Sequence, residues 1–229
     1  MIVSHIVAAL SAFIRSVQYA KVLKISPDEH WRYLKKSIRL GLCYAGFGAS
    51  WNLIEAWKAG EAAFLSCAYD VITDWRHFDS KAKSSFESIL TDLSQLELRE
   101  LARTLYYKDL NNELCNDGLE RGAIALRFIL KTMGCERKRE ATWGDLTALG
   151  ELLQIVDDVF DYEDDLADNE QNCLMTANRA VYLRRLLGEL SSDSCRKLFG
   201  RPPSILVLAI AYARKKGTRL LSSTSADIK

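Results

Sequence analysis

The sequence predicts an all-α protein built as one domain of antiparallel helices. Almost every segment carries apolar side chains at the three- and four-residue spacing of a helix that buries one face. The alternating β-branched runs that would predict strands are missing from the sequence. Only 3 prolines interrupt 229 residues, so long helices are sterically allowed. With 48% hydrophobic residues, the chain can bury one substantial core.

The predicted helices follow one another along the whole chain. The first covers about residues 2–24, and a capping box at Ser26, Pro27 and Glu29 starts a second, which ends near Cys43 and Gly46. The other predicted helices span about 50–76, 86–107, 120–134, 145–168, 174–190 and 203–215. We expect a polar break at 79–85, a loop at about 135–145 and a loose tail at about 217–229.

Composition excludes some classes of partner. A net charge of +1 gives no field to attract nucleic acid, and the 6 scattered cysteines predict buried thiols in a reducing cytoplasm. The apolar N-terminal residues lack the positive start of a signal peptide and continue as an amphipathic helix, which predicts a packed first helix. The longest other apolar run, 205–213, is too short to span a bilayer. We therefore predict a soluble cytoplasmic protein, with peripheral membrane contact and a dimer both left open.

Residues 154–172, QIVDDVFDYEDDLADNEQN, carry the strongest chemical pattern. At about 100° per residue, five aspartates share a stripe on the predicted helix and an apolar set lies opposite. The stripe comprises Asp157, Asp161, Asp164, Asp165 and Asp168, and the apolar set comprises Leu152, Ile155, Val159, Tyr162 and Leu166. No Lys or Arg occurs between Glu151 and Asn178, so the like charges need a counter-charge from outside the helix. Carboxylates suit Mg²⁺, with Mn²⁺ as the alternative ion, but a solvated acidic face gives the same pattern.

Asp70 and Asp74 form a second carboxylate pair, and their four-residue spacing puts them on one helix face. Small side chains lie upstream on that face: Asn52, Ala56, Ala59, Ala63, Ser66 and Cys67. The face predicts either close helix packing that ends in a surface ion pair, or a cavity wall with metal ligands at its mouth. Upstream of Asp157, the acidic helix repeats this plan with Thr147, Gly150, Leu153 and Gln154. Facing each other, the two helices would suit a hydrocarbon tail and a diphosphate held through Mg²⁺.

These paired motifs resemble those of the squalene/phytoene synthase branch of the isoprenoid synthases. The motifs are DxxxD and QxxDxxxDxxxD, at Asp70, Asp74, Gln154, Asp157, Asp161 and Asp165. The chain is most similar to class IB terpene synthases of the tetraprenyl-β-curcumene synthase kind. There an acid, an Asn and a Cys follow the second motif, as Glu170, Asn172 and Cys173 do here.

The resemblance implies a class I isoprenoid synthase fold, an antiparallel bundle around a central apolar pocket. It implies a Mg²⁺-dependent terpene synthase that ionises a linear prenyl diphosphate to an allylic cation and releases a terpene hydrocarbon or alcohol. The implied ligands of about three Mg²⁺ ions, which are also the catalytic residues, are Asp70, Asp74, Asp157, Asp161 and Asp165. The predicted substrate-binding residues are Arg76, Arg121, Gln154, Phe160, Asn172 and Arg179. The arginines would bind the diphosphate and Phe160 would face the cation.

Departures from the resemblance bear on the reaction. Asp157 stands where the squalene/phytoene type has Asn, and Phe160 stands where it has Arg, which argues against head-to-head condensation. That condensation of two prenyl diphosphates nevertheless stays an alternative. A di-iron bundle would need Glu-x-x-His pairs, which the sequence lacks, and a nucleotide pyrophosphatase would need polar base readers. From another class, a non-catalytic helical scaffold with an acidic surface also stays open.

Overall fold

A computed structural model describes residues 2–46, 52–73, 80–92, 96–110, 119–143, 145–168, 172–189 and 204–224. Every regular element in them is a helix, which confirms the all-α prediction for this part of the chain. The residues form two compact units, which we describe separately. The first contains residues 1–110 and 128–136, and the second contains residues 111–127 and 137–229. The single-domain prediction stays a prediction.

The first unit is built on five helices. They are α1 (Ile2–Tyr19), α2 (Pro27–Ala45), α3 (Leu53–Thr73), α4 (Ser80–Asp92) and α5 (Leu96–Leu110). The predicted capping box starts α2: Glu29 N donates to Ser26 Oγ (3.3 Å), and Ser26 N donates to Glu29 Oε2 (3.0 Å). Gly46 caps the C-terminal end of α2, as predicted.

Helix α1 packs against α2 and α3 through small residues, which lets the helix backbones approach closely. Ser11 Oγ donates to the Trp57 carbonyl of α3 at 2.8 Å. Ser16 Oγ donates to Ser37 Oγ of α2 at 2.7 Å, within the buried contact. A β-carbon on Gly60 would lie 2.2 Å from the Ala8 carbonyl oxygen, so only glycine fits there.

The second unit is organised around a long acidic helix. Its elements are the first part of α6 (Leu119–Thr132), α7 (Glu136–Trp143) from its second residue, α8 (Leu146–Asp168), a 3₁₀ turn (Cys173–Met175), α9 (Arg179–Glu189) and α10 (Ser204–Thr224). Helices α6 and α8 cross at two glycines: a β-carbon on Gly150 would lie 2.6 Å from the Gly122 carbonyl oxygen. Helix α6 continues through Gly122 without a break.

Three predictions of irregular structure are wrong because polar helices lack the apolar spacing used to find them. The predicted break at 79–85 lies in α4 from Ser80 onward, where hydroxyls of Ser84 and Ser85 donate to carbonyls four residues earlier. The predicted loop at 135–145 contains α7, whose ERKREATW sequence is rich in strong helix formers. The predicted tail begins inside α10, which continues to Thr224.

Three predicted helix boundaries also need correction. The helix predicted at 174–190 begins at Arg179, after a separate 3₁₀ turn at Cys173–Met175. The predicted 86–107 helix is two helices, α4 and α5. The first helix ends at Tyr19, before the predicted residue 24, and a turn follows in which Lys24 adopts a left-handed conformation (φ +54°). The Ile25 amide donates to the Ala20 carbonyl across this turn at 2.9 Å, which closes the helix end.

Candidate active site

Helix α8 carries the acidic stripe as the sequence predicts. Asp145 caps it, since Asp145 Oδ1 accepts from the Thr147 amide at 2.9 Å. The apolar side chains of Leu152, Ile155 and Val159 are buried on its back, whereas Leu166 is 57% exposed. On its front, Asp157, Asp161 and Asp164 are exposed. The helix therefore presents carboxylates outward from a buried apolar back.

Asp158, which our sequence analysis did not select, is the buried carboxylate of the site, with 6% exposure. Its Oδ1 accepts from Gln154 Nε2 at 2.8 Å, and its Oδ2 accepts from the Cys173 amide at 2.8 Å. Gln154, a predicted substrate-binding residue, is therefore engaged within its own helix. The signal that could have revealed Asp158 is the DD dipeptide, in which one acid faces outward and the next faces the following loop.

Asn172 holds the chain after α8 against the acidic helix. It is buried, and its Nδ2 donates to the Asp158 carbonyl at 2.7 Å and to Asp165 Oδ2 at 2.8 Å. Its Oδ1 accepts from the Leu174 amide at 2.9 Å, which caps the 3₁₀ turn. These contacts give Asn172 and Cys173 a role as a clamp on α8, whereas Glu170, the acid of the pattern, lies outside the described residues. The predicted contact of Asn172 with substrate stays a prediction.

Asp165 is half-buried at the edge of the stripe, and burial raises the pKa of its carboxyl group. The Asn172 hydrogen bond opposes that rise by stabilising the charged form, while the nearby charges of Asp161, Asp158 and Asp164 reinforce it. Carrying a negative charge is therefore less favourable for Asp165 in the folded protein than for a carboxyl group in water. A divalent cation at the stripe would reverse that cost.

The crossing of α6 and α8 brings Arg121 to the side of the acidic helix. Gly122 is in contact with α8, since a β-carbon there would lie 2.7 Å from Gln154 Cβ. Arg121 precedes Gly122 in the same helical turn and is half-buried. Its predicted role in binding diphosphate stays a prediction.

Arg179 lies on the back of α8, away from the stripe. Its guanidinium donates to the Tyr162 hydroxyl at 3.1 Å and to the Leu220 carbonyl at 3.2 Å. The same group lies 5.0 Å from the centroid of the Tyr162 ring. These contacts join α8, α9 and α10 and give Arg179 a structural role. Its predicted contact with diphosphate is not tested by them.

Helix α10 contributes cations that our sequence analysis missed. A cleft of about 190 Å³ is lined by Glu163, Tyr212, Lys215, Lys216, Arg219 and Leu220. Lys216 is 9% exposed, and its Nζ donates to Glu163 Oε2 at 2.6 Å and to the Phe160 carbonyl at 3.0 Å. The sequence signal for these cations is RKKGTR at 214–219, which places Lys215, Lys216 and Arg219 on one side of a helix. The cleft is smaller than ligand pockets of about 300–1,000 Å³ and suits an anionic group better than a prenyl chain.

Phe160, predicted to face a carbocation, lies on the α8 flank beside this cleft. Its ring stacks on that of Tyr212, with centroids 4.9 Å apart, and it is 36% exposed. The aromatic pair therefore borders the acidic stripe on one side and the basic cleft on the other. A role in cation stabilisation stays a prediction, as does the central apolar pocket.

Asp70 of the first unit makes an ion pair with α2. Its Oδ2 lies 2.6 Å from Lys36 Nζ, and neighbouring residues of the same face also contact α2. Tyr44 Oη donates to Ser66 Oγ at 3.2 Å, and Cys67 Sγ donates to the Tyr33 carbonyl at 3.6 Å. The lower part of the small-residue face is thus a helix-packing surface that ends in an ion pair, which was one of our two interpretations.

The other members of the first motif, Asp74 and Arg76, lie outside the described residues. Asp70 belongs to the first unit, and Asp157, Asp161 and Asp165 belong to the second. The predicted convergence of the two motifs on one pocket therefore stays a prediction.

The acidic stripe has the donor chemistry for Mg²⁺. Within the part of the chain that the structure describes, no group of three His, Cys, Asp or Glu side chains is close enough to hold a metal ion by itself. Mg²⁺ is ordinarily bound by one or two carboxylates together with substrate phosphates and water, rather than by a complete protein cage. Asp157 and Asp161, exposed one turn apart, fit that mode of binding.

Comparison with models of known protein families, with curated proteins and with solved structures finds no match for this chain. The interpretation of the site therefore depends on its own geometry and on the motifs in the sequence.

Proposed function

We propose that this chain is a Mg²⁺-dependent class I terpene synthase that converts one linear prenyl diphosphate to a terpene hydrocarbon or alcohol. The observation that carries the proposal is the α8 stripe, in which Asp157, Asp161 and Asp164 are exposed above a buried apolar back. No Lys or Arg follows Glu151 in this helix or in the chain up to Asn178. Such a stripe costs stability through like-charge repulsion, unless its role is to bind cations.

The stripe has the support that a binding site requires. Asn172 fixes Asp165, and Asp158 binds the Cys173 amide, so the chain after α8 is held against the acidic helix. A carboxylate that is itself held by a hydrogen bond, as Asp165 is, loses less rotamer entropy when it binds a ligand. The α8 clamp therefore favours a functional stripe over a merely solvated one.

The chemistry follows from charge placement. When bound, Mg²⁺ would act as a Lewis acid that stabilises negative charge on the departing diphosphate. Asp157 and Asp161 would hold it, while Lys215 and Arg219 in the cleft could bind phosphate oxygens electrostatically. The Phe160–Tyr212 pair would present aromatic faces to developing positive charge, worth about 0.5–2 kcal/mol per ring.

The prenyl diphosphates to test are geranyl, farnesyl and geranylgeranyl diphosphate, because the cleft does not define the length of the hydrocarbon chain. The purified protein is incubated with each of them in Mg²⁺, in Mn²⁺ and in EDTA, and released diphosphate and extracted terpenes are measured. Asp161→Asn should lower turnover at least about 100-fold, because it removes a metal ligand used in the transition state. Asp92→Asn, the same change at an exposed acid of α4, should leave turnover unchanged.

A second candidate is a non-catalytic helical scaffold, and the Lys36–Asp70 ion pair favours it. In that case, Asp70 ends a packing surface, and the acids of α8 are only a solvated surface. Intact substrates in all three incubations, with a Tm that does not respond to Mg²⁺, would favour the scaffold over the synthase.

A further inference from the structure

Helix α1 has the reverse of the usual distribution of side chains. Its buried residues are small, apart from one tyrosine: Ser4, Ala8, Ser11, Ala12, Ser16 and Tyr19. Its large apolar residues point outward: Ile2, Val3, Ile6, Leu10, Phe13, Ile14 and Val17. The small residues make the close contacts that pack this helix on α2 and α3, which leaves its large apolar side chains on the outside.

The outward residues make one continuous apolar face. At 100° per residue, all seven lie within an arc of about 120°, and no polar residue falls inside it. Their exposed fractions are 40–74%. Seven large apolar side chains with these exposures make a patch about as large as the largest on ordinary monomers, which are roughly 300–600 Å². A face of this size normally has a partner.

The apolar face continues onto the neighbouring helix. Ser37 and Gly41 of α2 contact α1, and the adjoining positions along α2 are Trp31, Ile38 and Leu42. Ile38 and Leu42 are half-buried, whereas Trp31 is 70% exposed. Because α1 and α2 are antiparallel, as the Ser16–Ser37 and Ala12–Gly41 contacts show, Trp31 lies near the C-terminal end of α1.

Basic residues gather around that same end. Lys21, Lys24, Arg32 and Lys35 are exposed in the α1–α2 connection and the first turns of α2. The acids nearby are Asp28 and Glu29, and Glu29 is engaged in the capping box. An exposed tryptophan and a cluster of cations bordering an apolar stripe are typical of helices that lie in the headgroup region of a bilayer.

We propose that the α1 face, defined as the seven outward apolar residues with Trp31, binds the surface of a membrane that contains anionic lipids. The helix would lie in the plane of the interface, with its apolar face about 5–10 Å deep and the cations of the α1–α2 connection at the phosphates. This charge arrangement favours lipid over a second copy of the chain, whose own cation cluster would add repulsion. The proposal concerns the first unit and does not depend on the proposed catalytic function.

The same helix does not suit a transmembrane orientation. By length and composition, α1 could cross a bilayer, and it is the one described helix for which this is so. However, its inner side is bonded to the unit: Arg15 Nη2 donates to Glu61 Oε1 at 2.7 Å, and Ser11 and Ser16 bond to α3 and α2. Spanning would break these contacts and place Arg15 in hydrocarbon.

The test is flotation of the full chain with vesicles of phosphatidylcholine alone and of phosphatidylcholine mixed equally with phosphatidylserine. We expect binding to the mixed vesicles that weakens as salt is added. Leu10→Ser with Phe13→Ser should weaken it by about tenfold per side chain, because partly buried apolar groups are lost from the bilayer. Lys21→Gln with Lys35→Gln should weaken binding about fivefold per residue, and only to the anionic vesicles.

The matched control is Val181→Ser, which removes an equally exposed apolar residue from α9 (58% exposed) and should leave flotation unchanged. All substituted positions are exposed, so each variant should melt like the parent. If the parent fails to float with mixed vesicles, or if both pairs of substitutions leave binding intact, the proposal is wrong. Loss of a dimer in light scattering on Leu10→Ser with Phe13→Ser, without vesicle binding by the parent, would instead assign the face to a second copy.

Discussion

Asp158 should be the most important single side chain for holding the chain after α8, and Asp158→Ala tests this. The substitution leaves the buried Cys173 amide and the half-buried Gln154 amide without their acceptor, at about 1–3 kcal/mol each. Relief of repulsion with Asp165 returns a few tenths of a kcal/mol. The free energy of unfolding should therefore fall by about 2–6 kcal/mol, which lowers Tm by about 4–24 °C for a chain of this size.

The assay is urea unfolding followed by circular dichroism, with Asp164→Ala as the matched control. Asp164 is an exposed acid on the same helix, so its removal should change the free energy of unfolding by no more than about 0.5 kcal/mol. Equal unfolding midpoints for the two variants would refute the reasoning, because burial and the two hydrogen bonds would then contribute nothing at Asp158.

Two further predictions concern packing and charge in the second unit. Gly150→Ala should lower the free energy of unfolding by about 1–3 kcal/mol, because the new β-carbon would lie 2.5 Å from Ala123 Cα. Gly188→Ala, with no atom within 4 Å, should instead be neutral or stabilising by up to about 1 kcal/mol in the same melts. Because the pKa of Asp165 is raised in the folded protein, stability should fall as pH rises above the ordinary pKa of 3.8. Asp165→Asn should remove that fall, so the free energy of unfolding of the variant should rise relative to that of the parent between about pH 3 and 8 in urea titrations. A difference between the two proteins that does not grow with pH would contradict the raised pKa of Asp165.

The sequence predicts those helix ends and helix faces that depend on helical periodicity and on local caps. The capping box at Ser26, the Gly46 end of α2 and the acidic face of α8 all follow from spacing of a few residues along one helix. The sequence does not predict helix α7 or the start of α4, because these segments lack the apolar stripe by which helices are recognised. In α7, strong helix formers such as Glu, Arg, Lys and Ala favour the helix without an apolar stripe.

The candidate site was only partly predictable for a different reason. Exposed Asp157 and buried Asp158 are adjacent and identical in type, and only the position of Cys173 in space distinguishes their roles. Likewise, the hydrogen bonds of Arg179 to the Tyr162 hydroxyl and the Leu220 carbonyl join residues that are distant in sequence, so its charge alone does not predict them. The inverted polarity of α1 has the same origin, since the small side of a helix is buried when its neighbours must come close.

Metal-dependent turnover of a prenyl diphosphate tests the central claim most directly. With farnesyl diphosphate as the first substrate, and geranyl and geranylgeranyl diphosphate beside it, we expect diphosphate release with Mg²⁺ that EDTA abolishes. Asp157→Asn and Asp161→Asn should each abolish it while melting like the parent, and Asp92→Asn should not. If all three substrates stay intact with Mg²⁺ or Mn²⁺ and a folded protein, the acidic stripe does not ionise prenyl diphosphates and the proposed function is wrong.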